Sequence, residues 1–287
     1  MSIRRWHKLV FGPAFAALVI AASLLLTGGV SLADPGHPYL ALGDSVSFGY
    51  ITQAGFEYQN PDNFIGFPVY VGQSLGMTPT NASCPGETTA GFTSATGADN
   101  GCRPFKANFP LHTSYSGTQI DFATAFLNAH PNTKLVTIQL GANDAFLLES
   151  QCRNDPTCIA AGLPALLGTI SANMDGIFRA LSAAHFNGRL IVVNYYSLDY
   201  GDAAGTGLTQ LLNQAIASHA HADGAIVADA FSAFQQAAAS AGGHTCAAGL
   251  LNASPQNQLV CDVHPSQSGQ ELLAQAVVNA YDSATGN

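Results

Sequence analysis

The chain has 287 residues, 47% hydrophobic and only 9% charged, with 9 Lys and Arg against 18 Asp and Glu and a net charge of −9. So few cations exclude a nucleic-acid partner, which needs a basic face to neutralise phosphates. The length and apolar content suit one large globular domain with a substantial core. The first element is not part of that domain. Arg4, Arg5 and Lys8 precede a nearly uncharged apolar run from Leu9 to Leu26, and Ser31-Leu32-Ala33 then puts small residues before Asp34. This is the layout of a secretory signal peptide over residues 1–33, cleaved between Ala33 and Asp34. Gly12 and Pro13 inside the run weaken it as a retained anchor, and no Cys follows it to carry a lipid. The mature chain, 34–287, then loses three cations and carries −12. No later segment reads as apolar and long enough to span a bilayer.

Beyond Asp34, short apolar runs alternate with helical patterns. "YLAL" at 39–42 reads as a buried strand, and a short strand is expected near Pro79–Ala82. Leu135–Leu140, Leu190–Asn194 and Ala225–Ala228 follow, rich in β-branched residues and apolar on both faces, as parallel strands covered on both sides should be. Helical periods fall near Ile65–Leu75, Ile120–Ala129, Ile159–His185, Gly207–Ala220 and Gln267–Ala280. The alternation predicts a three-layer α/β/α sandwich with a mostly parallel central sheet. Two stretches, Gly76–Thr118 and His244–Pro265, read as long loops, and loops of that length in a compact domain are usually functional.

Six cysteines fall as three sequence neighbours: Cys84 with Cys102, Cys152 with Cys158, and Cys246 with Cys261. Fifteen connectivities are formally open. Each pair lies in a Gly-, Asn- or Pro-rich segment, which favours these three local disulfides in an exported chain. A zinc site needs tighter clusters with His at ligand spacing, so no metal is expected.

Four short stretches carry the chemistry. The strand at 39–42 empties into Gly43, Asp44 and Ser45; this is either an ordinary turn or a hydroxyl mounted at the carboxyl end of a strand, where open α/β sheets place their sites. "CPGETT" holds Gly86, "LGAND" holds Asn143 directly after a strand, and "CDVHP" holds His264 just before the last helix. Singly, each has a bland reading as turn glycine, helix cap or loop histidine. In this order, the chain resembles the SGNH hydrolases, the GDSL esterase/lipase family, over nearly all of its mature length. The resemblance implies the flavodoxin-like fold of that family, no cofactor, and a Ser45 nucleophile with His264 as base. It also implies an oxyanion hole from the Ser45 and Gly86 backbone N–H groups and the Asn143 side chain. A serine needs such a base to become nucleophilic, and the oxyanion needs preorganised donors.

The acid departs from the family pattern. Asp-x-x-His would put it at position 261, which is Cys261, while Asp262 lies only two residues before His264. Either Asp262 reaches the imidazole, or a backbone carbonyl near Cys261 orients it. "GQSLG" at 72–76 also matches a G-x-S-x-G nucleophile elbow, but Gly76, Thr78 and Pro79 leave no room for the helix that must follow Ser74. Gly76 reads instead as the cap of a helix ending there. The expected activity is hydrolysis of a small-molecule or lipid carboxylic ester by a monomeric secreted enzyme not inserted in a membrane. The alternatives are a carbohydrate acetylesterase and an inactive binding module on the same fold.

Overall fold

The computed structural model describes residues 36–254, 257 and 260–285; the segment read as a signal peptide, with its cleavage site, lies outside them. In chain order the strands are β1 (His37–Gly43), β2 (Met77–Asn81), β3 (Leu135–Gln139), β4 (Arg189–Val193), β5 (Ile226–Ala228), β6 (Leu251–Ala253) and β7 (Cys261–Pro265). The helices are α1 (Ser45–Phe48), α2 (Phe67–Leu75), α3 (Thr89–Thr93), α4 (Cys102–Asn108), α5 (Gln119–Ala129), α6 (Ala142–Gln151), α7 (Pro156–Ala183), α8 (Ala203–Ala217), α9 (Ala230–Ala238) and α10 (Gln267–Thr285).

The first five strands form one parallel sheet in the order β2-β1-β3-β4-β5. Tyr39 through Leu42, and Leu135, Val136 and Ile138, are fully buried. Both faces of the central strands are therefore covered, as their largely apolar runs required. Helices α2, α9 and α10 pack together on one side, and α5, α7 and α8 form a second packed group. The result is the three-layer α/β/α sandwich with a parallel sheet expected from the sequence. Chain order along the sheet reverses between β1 and β3, and such a switch point opens a crevice at the carboxyl ends of the strands.

Register puts those ends level. Gly43 pairs with Gln139, and Ala41 with Asn81, so β1, β2 and β3 finish side by side. The exit is tight: Gly43 has φ +134°, and a Cβ there would lie 2.2 Å from the Gln139 carbonyl oxygen. Only glycine fits between β1 and β3 at this point.

Three expectations need correction. The long loops contain structure: α3 and α4 lie within 76–118, and the antiparallel pair β6–β7 lies within 244–265. Helices α6 and α9 were not expected either. Finally, α7 does meet the length and composition of a membrane-crossing helix, with a mean hydropathy of 1.3 over 18 residues. Its C-terminal half uses that apolarity to bury Ile170, Met174, Ile177, Phe178 and Leu181 in the core. Most of its N-terminal half is part-exposed or exposed.

Candidate functional site

Ser45 is the first residue of α1, directly after β1, so a rigid strand and a helix start fix its position. Asp44 caps that helix, its carboxylate accepting from the Val46 N–H at 2.9 Å. The Ser45 Oγ lies 2.9 Å from His264 Nε2, 219 residues away. The other imidazole nitrogen, Nδ1, lies 2.6 Å from Asp262 Oδ1. An ionised carboxylate only accepts, so Nδ1 carries the proton and Nε2 is left to accept from the Ser45 hydroxyl.

The two-residue spacing works because the segment is a strand and not a loop. Along β7, residues i and i+2 project to the same face, which puts Asp262 and His264 together. The Cys246–Cys261 disulfide closes the β6–β7 segment, and Tyr196, stacked on Phe234, donates to the Val263 carbonyl at 2.7 Å. Asp262 also accepts from the backbone N–H groups of His264 at 2.6 Å and Thr52 at 3.3 Å. Burial alone would raise its pKa, but the hydrogen bonds and charge of His264, with Thr52, hold the carboxyl below the usual range.

Gly86 and Asn143 come to the same end of the sheet. The Cys84 N–H donates to the Gly43 carbonyl at 3.0 Å, which carries the β2 exit alongside Ser45. Gly86 takes φ +84°, and a Cβ would meet the Asn100 carbonyl at 2.6 Å. Asn100 in turn donates its amide to Asn143 Oδ1 at 2.8 Å and its backbone N–H to the Gly86 carbonyl at 3.1 Å. One loop residue thus ties the second motif to the third. Disulfides join Cys84 to Cys102, Cys152 to Cys158 and Cys246 to Cys261. Ser74 sits exposed in the last turn of α2, ahead of the αL cap Gly76, and away from this site.

Several supporting residues escaped the sequence reading. Asp44 is buried; its second oxygen accepts from the Tyr195 hydroxyl at 2.5 Å and the Asn143 amide at 3.4 Å. Gln119 brackets Gly43 by accepting from its N–H at 2.6 Å and donating to its carbonyl at 3.0 Å. Gln270 of α10 donates to the Val46 carbonyl at 3.1 Å, tying the C-terminal block to α1. Asp144 accepts from the Thr89 N–H and hydroxyl at 2.9 and 2.6 Å. Asp44 and Asp144 lay inside the quoted motifs, and Tyr195 follows a strand end on the sheet's carboxyl edge, so position alone could have flagged them.

Burial pushes the Asp44 carboxyl up to about 6 against the hydrogen bonds of Tyr195 and Val46, and burial with nearby Asp99 pushes Glu87 up to about 7. At these two groups the folded chain therefore holds protons that the unfolded chain releases, so their contribution to stability falls as pH rises from about 4 to 7. Each shift corresponds to the order of 3 kcal/mol. Asp262 and Asp229, held low, withdraw their contribution only below about pH 4. We expect thermal unfolding midpoints to be higher at pH 5 than at pH 8, with Asp44→Asn removing part of the difference. A midpoint that climbs steadily from pH 5 to 8 would contradict this.

A model of the GDSL-like lipase/acylhydrolase family matches residues 41–272. Among curated protein sequences no match is found. Among solved structures, a phospholipase A1 from Streptomyces albidoflavus is 17% identical with a TM-score of 0.60, over 86% of this chain and 99% of its own. A variant of an acetyl xylan esterase from Geobacillus stearothermophilus is 16% identical with a TM-score of 0.53, over 86% and 94%. A lipase from a goat rumen metagenome is 16% identical with a TM-score of 0.52, over 85% and 98%. At these identities the likeness is one of fold.

Proposed function

The chain belongs to the GDSL-like lipase/acylhydrolase family, and from that premise we propose that it is a serine hydrolase of carboxylic esters. The observation that carries this reading is the relay Ser45 Oγ to His264 Nε2 at 2.9 Å and His264 Nδ1 to Asp262 at 2.6 Å. Ser45 Oγ attacks the ester carbonyl carbon while its proton passes to His264 Nε2. The carbonyl electron pair moves onto oxygen, where the N–H groups of Ser45 and Gly86 and the Asn143 amide stabilise it. Collapse breaks the bond to the alcohol oxygen, which leaves with the proton from Nε2. Water then gives a proton to His264 and attacks the acyl-enzyme, releasing the carboxylic acid and restoring the Ser45 hydroxyl. Asp262 stabilises the imidazolium formed in both halves. Three disulfides support export to an oxidising compartment.

Diisopropyl fluorophosphate tests the nucleophile directly, since its phosphorus bonds to an activated serine oxygen and fluoride and a proton are released. We expect a single adduct on the peptide that contains Ser45. No adduct, or one on Ser74, would overturn the assignment.

A further inference from the structure

A cavity of about 300 Å³ opens from Ser45 and His264 and runs between α6, α7 and α8. Asn143 and Tyr195 are among the residues that line it. Its walls are aliphatic: Leu148 from α6, Leu163 and Leu167 from α7, and Leu208 and Leu212 from α8. The α7 and α8 pairs are each four residues apart, so each helix turns one continuous apolar face to the cleft. The Cys152–Cys158 disulfide staples the end of α6 to the start of α7, which fixes the corner from which two of the walls diverge.

Leu212 belongs to the core, but the other wall leucines keep surface outside it. Leu163 and Leu167 are only part-buried, and Leu208, at 42% exposure, sits at the rim with Phe146 at 37% and Leu198 at 46%. Apolar surface that converges on a reactive hydroxyl marks a ligand site. Asp44, which also lines it, is buried and held by Val46, Asn143 and Tyr195, and the other carboxylates of the lining, Glu149, Asp199 and Asp202, are part-exposed or exposed and keep access to water. A sugar would need converging donors and acceptors along these walls, whereas the three helices supply mainly aliphatic side chains, with Asn143, Glu149 and Thr209 their polar exceptions.

We propose that this cleft is the acyl-chain site, and that the substrates are esters of medium-length fatty acids and not acetyl esters. The inference rests on the serine hydrolase reading and names its substrate class. A cavity of about 300 Å³ has room for an acyl chain of several methylenes with its carbonyl carbon at Ser45. Each methylene moved from water onto the leucines raises kcat/KM up to about fourfold, the equivalent of ~0.8 kcal/mol.

The test is the specificity constant for p-nitrophenyl acetate, butyrate, hexanoate, octanoate and laurate, in the wild type and in Leu163→Trp and Leu208→Trp. Wild-type kcat/KM should climb two- to fourfold per methylene and level off near octanoate. A tryptophan at part-buried Leu163 fills the cleft and one at exposed Leu208 narrows its rim, and either should lower the octanoate-to-acetate ratio at least tenfold. Highest activity on acetate, or ratios unchanged in both variants, would overturn the acyl site while leaving the hydrolase reading intact. Absence of turnover on every ester together with absence of the Ser45 adduct would remove that reading, and the acyl site with it.

Discussion

Ser45→Ala is expected to lower kcat for a short p-nitrophenyl ester by on the order of 10⁶, to the residual rate that binding and oxyanion donors alone sustain. The hydroxyl is the atom that forms the acyl bond, and the His264 Nε2 beside it then has no proton to take. The N–H of residue 45, the Gly86 turn and the Asn143 amide all survive the substitution. The fold should survive it too. Ser45 Oγ donates one hydrogen bond, to a part-buried histidine, and the backbone there is held by Asp44 and by Gln119 and Gln270. Removing one such bond costs about 1 kcal/mol, so the unfolding midpoint should move by a few degrees at most. Retention of more than about a tenth of the activity, in a variant with a wild-type midpoint, would show that another group is the nucleophile.

The sheet was legible in the sequence because its central strands are short runs of mostly buried residues, rich in β-branched ones in β3 and β4. Ser45, Gly86, Asn143 and His264 each had a bland reading alone and were legible only because their four motifs occur in the order of the family that the chain resembles. What lay hidden had weaker local signals. Helix α6 begins at the motif itself and carries Ala145, Phe146, Leu147 and Leu148 in a row, which shows no helical period. The β6–β7 pair is short and only partly buried, so it read as loop. That misreading is what made the acid ambiguous: in a loop two residues are the wrong interval, in a strand they are the right one. The acyl cleft was unreadable because its leucines come from three helices that only the fold brings together.

Asp262→Asn separates the charge of the acid from its geometry. The carboxylate meets two donors at Oδ1, the His264 N–H and the Nδ1–H, and one at Oδ2, the Thr52 N–H. An asparagine must turn its NH₂ toward one side. Facing Thr52 conflicts with a single donor at 3.3 Å, while facing His264 conflicts with two at 2.6 Å. The amide oxygen therefore stays on the imidazole and the tautomer is retained. What disappears is the negative charge opposite the imidazolium. At about 4 Å and an effective dielectric near 20, that attraction is about 4 kcal/mol, so kcat should fall about a thousandfold. A backbone carbonyl in the orienting role would leave turnover untouched. Unchanged turnover in Asp262→Asn would thus take Asp262 out of the mechanism and leave Ser45 and His264 to act as a dyad.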